Sequence, residues 1–211
     1  MIDRAIQFFL AGGWVMYPLL VMSLLSLTLI FERLLFWVFS AQRTGPRRLA
    51  VYLRLYAADQ TSDQTNRLAK ASKNDCTLEG NLVATATSSN TTNEAILIGH
   101  IESMRPSIER FSSMLSSIIA AAPLLGILGT VTGIIRSFDL LGNAAAVSDP
   151  SIVAGGIAEA LYTTAFGLTI ALVTLFPHIY FKSRADRTLG RLETLAGVIS
   201  EHRSTDSQIK D

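Results

Sequence analysis

The stretch "GGIAEALYTTAFGLTIAL", residues 155–172, is apolar enough for the inside of a bilayer, yet it holds the carboxylate of Glu159 and the hydroxyls of Tyr162, Thr163, Thr164 and Thr169. A carboxylate can take up a proton or accept hydrogen bonds. The threonine hydroxyls can only hydrogen-bond or hold a water, because they do not titrate near neutral pH. A lone carboxylate at membrane depth costs roughly 2.5–3.5 kcal/mol, so Glu159 is expected to face protein or water and not lipid. A second polar set lies in "MLSSIIAAAPLLGILGTVTGIIRSF", residues 114–138, where Thr130 sits among Gly126, Gly129 and Gly133.

The elements that must position these groups are membrane spans. Apolar runs of bilayer length occupy residues 14–39, 114–138 and 152–181. The first, "WVMYPLLVMSLLSLTLIFERLLFWVF", begins late and lacks both a strongly basic leader and a small-residue cleavage site, so it reads as an anchor. Trp14 and Tyr17 at one end and Trp37 at the other suit interfacial anchoring. The fold expected is an all-α integral membrane protein. It has three transmembrane helices, the second and third extended into the cytoplasm, plus a cytoplasmic helical segment.

Loop charge orients the spans. Nine Lys or Arg residues, from Arg43 to Arg110, lie between the first two spans. Lys182, Arg184, Arg187, Arg191, Arg203 and Lys210 follow the third, whereas Arg4 alone precedes the first and the 139–151 connector has none. The positive-inside rule predicts a periplasmic N-terminus (1–13), a cytoplasmic middle segment (40–113), a periplasmic loop (139–151) and a cytoplasmic tail (182–211).

In the middle segment, "RRLAVYLRLYAAD" places Leu49, Leu53 and Tyr56 at helical spacing, and Asn90 stands as a cap before a helical pattern that runs from Glu94 into the second span. "NTT" at 90–92 is a chance glycosylation match on that side. No internal repeat is evident.

On the second helix Ala122, Gly126, Gly129, Thr130, Gly133 and Ser137 form a small and polar stripe, opposed by Leu124, Leu128, Val131 and Ile135. On the third, Gly156, Ala160, Thr164, Gly167 and Ala171 form another, with Ile157, Leu161, Leu168, Leu172 and Leu175 on the greasy face. Small residues let helices approach closely where packing and hydrogen bonding hold spans together, so both stripes read as contact surfaces. Taken singly, Thr130 and Thr164 fit equally the common habit of bonding their own helix backbone.

The formal net charge of +1 over 211 residues gives no sign of a nucleic-acid partner. Cys76 is the single cysteine, so no intrachain disulfide forms, and His100, His178 and His202 lack ligand spacing. "GILGTVTG" lacks the Gly-Lys-Ser/Thr ending of a phosphate loop. Neither a catalytic constellation nor a metal or cofactor site is read, and the chain is not expected to be an enzyme.

"APLLGILGTVTGIIRSF", a short loop and "GGIAEALYTTAFGLTIALVTLFPHIYF" resemble the second and third spans of the MotA/TolQ/ExbB proton-channel family, closest to its ExbB and TolQ branches. "GGWVMYPLLVMSLLSLTLIFERLLFW" resembles that family's first span. The resemblance covers residues 11–39 and 118–185, and three spans differ from the four of the flagellar branch. It implies a bacterial inner-membrane unit in which a homo-oligomer, expected to be a pentamer, surrounds a dimer of a single-span ExbD/TolR-like partner. That partner carries an aspartate, and the proton motive force drives work on the envelope through a TonB- or TolA-like protein.

The family's pore-facing threonines fall on Thr130 and Thr164, its third-span glutamate on Glu159 and the proline before its glycine-rich turn on Pro123. Arg136 stands where the ExbB pattern has an uncharged residue. On an ideal helix Glu159 lies about 40° from Thr163 and about 140° from Thr164. If Thr164 lines the lumen, Glu159 and Thr163 therefore lean towards coupling or a subunit contact, and Pro123 with the glycines and Ala160 towards helix packing. A non-conducting membrane scaffold and a transporter acting alone remain the alternatives.

Overall fold

The computed structural model describes residues 12–43, 50–53, 72, 77–88, 94–142 and 150–209, and among them it contains no strand. Among the described residues five helices have defined bounds: α1 (Met16–Arg43), α2 (Leu78–Ser88), α3 (Glu94–Ile108), α4 (Ser112–Gly142) and α5 (Pro150–Ile209). The expected cap at Asn90 and the thiol of Cys76 lie outside the described residues, as do most of residues 47–59, of which 50–53 are helical.

Among the described residues three helices are long and apolar enough to cross a membrane, over Met16–Phe39, Ser112–Asp139 and within Ala154–Glu201. The chain is an all-helical membrane protein. At about 1.5 Å per residue, the 60 residues of α5 make a helix of about 90 Å, three times a ~30 Å hydrocarbon core, so much of it lies beyond any single crossing. Pro123 and Pro177 sit inside α4 and α5. Each withholds one backbone donor, which membrane helices tolerate when neighbouring groups re-satisfy the freed carbonyl.

The chain divides into two compact units. The first comprises α1 to Glu32, α4, and α5 to Tyr180. Many of its large apolar side chains point outward, among them Leu24, Leu27, Phe31, Leu124, Leu128, Val131, Leu161, Leu168, Leu172 and Phe176. Its buried positions include the small or polar Ala122, Ser137, Ala160, Thr163 and Thr174, beside the larger Leu19, Leu29, Leu115, Ile118 and Ile170. A unit this greasy outside, with small and polar residues among those it buries, suits lipid as its solvent.

The second unit comprises α1 from Arg33, α2, α3, and α5 from Phe181. Here large aliphatic residues are inside. On α3 Leu97, Ile101, Met104 and Ile108 are buried, and on α5 Phe181, Ala185, Thr188, Leu192, Leu195 and Ile199. Both sets step by three and four residues, the one-sided stripe that buries a helix face. Thr77 begins α2 as its N-cap: its Oγ1 accepts the Gly80 N–H at 3.1 Å.

Two sequence expectations change. The helical run from Glu94 does not pass unbroken into the second span. α3 ends at Ile108, and Phe111 takes φ 64°, a left-handed conformation costing about 1–2 kcal/mol for a residue with a Cβ, before α4 starts at Ser112. Trp37 is only 8% exposed, so unlike Trp14 and Tyr17 it does not present an interfacial ring.

Candidate functional site

The site is built where α4 and α5 lie against each other within the first unit. A Cβ added at Gly133 would come within 2.7 Å of the Ala160 Cβ, and one at Gly126 within 2.9 Å of the Thr164 Cα. At Gly129 it would collide with the Thr163 side chain, at Gly156 with the Ser137 hydroxyl, and at Gly167 with the Ala122 carbonyl. The stripes read as separate surfaces thus meet each other, residue against residue. Pro123 is half-buried beside the fully buried Ala122.

This close approach sets up polar contacts between the helices. Thr164 Oγ1 donates to the Gly126 carbonyl at 2.8 Å. Thr163 Oγ1 lies 3.2 Å from the same carbonyl and 2.7 Å from that of Ala160 in its own helix. A hydroxyl has one proton, so Thr163 shares it between the two acceptors. Only a glycine lets that carbonyl be reached from α5, because a side chain at 126 would push the Thr164 backbone away.

Thr130, half-buried on α4, donates to its own helix at Ile127 O, 2.7 Å away, and Thr132 does likewise to Leu128 O and Gly129 O. No hydrogen bond joins Thr130 to Thr164 among the described residues. The structure therefore brings Thr163 and Thr164 to Gly126 and leaves Thr130 bonded within α4.

Glu159 lies one turn from Thr163, in a cavity of about 530 Å³. Its walls come from Gly12, Gly13, Trp14 and Val15 before α1, from Gly129, Thr132, Gly133, Arg136 and Ser137 on α4, and from Gly155, Gly156, Glu159 and Ala160 on α5. Glu159 and Arg136 line this cavity together. A cavity of this size with polar walls can hold water. Among the described residues no group of three or more His, Cys, Asp or Glu side chains gathers to hold a metal.

Sequence reasoning missed the parts that come from separate segments. Gly12 and Gly13, ahead of α1, line the cavity, a placement for which no side-chain pattern exists. Arg136, already set apart in the sequence as a cation inside an apolar run, joins Glu159 in the cavity wall. Arg33 in the second unit is 3% exposed. Its Nη1 reaches the carbonyls of Ser107 at 3.5 Å and Ile108 at 3.4 Å, and its guanidinium lies 4.6 Å from the Phe36 ring centre. A cation on the last carbonyls of α3 is favoured by the helix dipole as well as by the hydrogen bonds. The Glu-Arg pair inside the first apolar run was the trace of this cap.

The family model for the MotA/TolQ/ExbB proton channel family matches residues 62–194. The putative biopolymer transport protein ExbB-like 3 of Synechocystis sp. is 34% identical over 197 residues, 90% of each chain. The ExbB-like 1 protein of the same organism is 34% identical over 192 residues, covering 82% of this chain and 68% of its own. The Tol-Pal system protein TolQ of Pseudomonas aeruginosa is 33% identical over 110 residues, 49% of this chain and 47% of the relative. With a long apolar seam of glycines and threonines and one carboxylate at its end, the chain belongs to the MotA/TolQ/ExbB proton channel family.

Proposed function

We propose that this chain is the channel subunit of an ExbB/TolQ-type motor in the bacterial inner membrane, with its N-terminus periplasmic and its C-terminus cytoplasmic. Five copies surround a dimer of a single-span ExbD/TolR-like protein, and the proton motive force drives that pair to act on the envelope through a TonB- or TolA-like protein. The chain itself catalyses no covalent step. Its hydroxyls at Thr130 and Thr164 solvate the partner's membrane carboxylate, which carries the proton. Glu159 and Thr163 serve coupling or a subunit contact. Each proton crossing the full potential releases about 2.3 kcal/mol per 100 mV, enough to bias one rotation or tilt.

The observation that carries this reading is the seam itself: hydroxyls and glycines gathered on one line between two bilayer-length helices that are greasy elsewhere. A second reading, a non-conducting scaffold, is favoured by a different observation. The Thr130 and Thr164 hydroxyls both donate to backbone carbonyls of α4, as packing threonines do.

The two readings part in one experiment. Full-length chain and its single-span partner are reconstituted in vesicles, and proton uptake under an imposed potential is followed for Thr130→Ala and Thr164→Val variants that still form the complex. The motor reading expects uptake to fall to the level seen without partner. Undiminished uptake and undiminished complementation in cells would favour the scaffold.

A further inference from the structure

The cavity of the first unit lies where α1 and α5 begin and α4 ends, and it carries two unlike charges on two helices, Arg136 on α4 and Glu159 on α5. No ion pair joins them among the described residues. At about 1.5 Å per residue, Arg136 lies roughly 4.5 Å inside the Asp139 end of its apolar run and Glu159 roughly 7.5 Å inside the Ala154 end of its own. Both charges therefore stand at nearly one depth, close to the boundary between headgroups and hydrocarbon. Trp14, which also lines the cavity and is exposed, has the ring type favoured at that boundary. The outer sides of the same helices are greasy: Leu128, one turn before the wall residue Thr132, and Ile135, two turns beyond Leu128, form an exposed row beside the cavity. A lone anion in this space meets the like charge of Glu159, and a lone cation meets that of Arg136. A zwitterion meets neither penalty.

We propose that this cavity seats the headgroup of a phospholipid bearing a primary amine, with its phosphate on Arg136, its ammonium on Glu159 and its acyl chains along Leu128 and Ile135. The inference goes beyond the motor reading and rests only on the chain's being a membrane protein. A guanidinium presents five N–H donors in a fork that fits a phosphate, and a carboxylate accepts several N–H bonds and donates none. A primary ammonium supplies the three donors that a trimethylated one lacks. The volume, about 530 Å³ against the ~30 Å³ share of one water in the liquid, leaves room for a headgroup together with water. Glycines at 129, 133, 155 and 156 keep that room open, since the wall there carries no side chains. The bilayer itself supplies the ligand at this depth, and the exposed apolar row gives its chains a track that a soluble zwitterion cannot use.

The test uses the full-length chain in mild detergent, offered lipids with identical acyl chains and different headgroups, and counts the lipids retained per chain by native mass spectrometry. The parent is expected to keep phosphatidylethanolamine about tenfold better than phosphatidylcholine, which lacks ammonium N–H donors, and about tenfold better than phosphatidylglycerol, which lacks the ammonium. Glu159→Gln should erase the preference for phosphatidylethanolamine over phosphatidylglycerol, while Arg136→Gln should lower retention of both by about tenfold. Water-soluble glycerophosphoethanolamine is expected to be lost on washing. Its retention at the level of the lipid would overturn the assignment of the acyl chains. Equal retention of the three lipids by the parent, or a ranking that neither variant alters, would overturn the proposal outright. If a variant does not assemble, the ranking by the parent alone decides. A photo-cross-linker at position 136, in lipid-replete vesicles, should label lipid. Labelling of a second copy or a partner chain in place of lipid would show that protein fills the cavity and would sink the headgroup reading.

Discussion

The closest helix contacts of the first unit and the core of the second are made of different materials. In the first, α4 and α5 meet through Gly126, Gly129, Gly133, Gly156 and Gly167, where an added methyl would strike the facing helix. In the second, Gly99, Gly190 and Gly197 have nothing within 4 Å of such a methyl, and the buried positions are filled by Leu82, Leu97, Ile101, Leu192, Leu195 and Ile199. Where lipid is the solvent, burying leucine gains little, because hydrocarbon is available on both sides. Contact area and interhelical hydrogen bonds then hold spans together, and small residues maximise both. Where water is the solvent, apolar area removed from it is the driving force, at about 25 cal/mol per Å². The contrast means that a truncation and an enlargement should exchange their effects between the two units.

The largest expected effect is a truncation in the second unit. Leu195 is fully buried on α5, so Leu195→Ala should cost about 2–5 kcal/mol, the loss of transfer energy plus a cavity. The check is thermal or denaturant unfolding of the full chain in mild detergent. A loss below about 1 kcal/mol would mean that the aliphatic stripe of α5 is not a core, and the comparison would fail at its first term.

An enlargement in the first unit comes next. Gly126→Ala places a methyl 2.9 Å from the Thr164 Cα, a backbone atom that cannot step aside by changing rotamer. The helices must part, and the Thr164 hydroxyl loses its carbonyl partner with them. A destabilisation of about 1–3 kcal/mol is expected from overpacking. Disulfide trapping between cysteines placed on α4 and α5 should slow in the same variant, which distinguishes a parted seam from a general loss of stability.

Much of this contrast was legible in the sequence. The spans follow from the length of apolar runs, and the stripe at 122, 126, 129, 133 and 137 follows from helical periodicity. Which partner each stripe meets did not follow, because periodicity fixes the face of a helix and leaves its register against another helix open. The pairing of Gly133 with Ala160 and of Gly126 with Thr164 required both backbones in place. The Arg33 cap on α3 joins residues at least 74 positions apart through backbone carbonyls, which carry no residue signature. The break at Phe111 was hidden for another reason: its neighbours have ordinary helix propensities, and the left-handed residue is one in which a glycine would have been the expected signal.

A smaller effect tests how the hydroxyls share one acceptor. Thr163 and Thr164 both reach the carbonyl of Gly126, so Thr163→Val or Thr164→Val alone leaves that oxygen with one hydroxyl donor. Each single change should cost about 0.6 kcal/mol, in the range measured for interhelical hydrogen bonds in membranes, and the double variant more than the sum. A double-mutant cycle in the same detergent system reads the excess. Strict additivity would show that the two hydroxyls act through separate contacts and that Gly126 is not their common point.

The smallest effect sharpens the comparison most, because it uses the same substitution as Gly126→Ala with the opposite expected sign. Gly190 is exposed in the interior of α5, and a methyl added there has no heavy atom within 4 Å. Alanine lowers the backbone freedom lost on folding and improves helix propensity, so Gly190→Ala should stabilise the chain by about 0.5–1 kcal/mol. Gly99→Ala on α3 should do the same, for the same reason. A rise in the unfolding midpoint of both variants, set against the fall for Gly126→Ala, would establish that glycine is a packing device in one unit and incidental in the other. A fall for Gly190→Ala would instead show that something beyond the described residues presses on that face of α5, another segment or a second chain, and cross-linking from a cysteine at position 190 would then identify it.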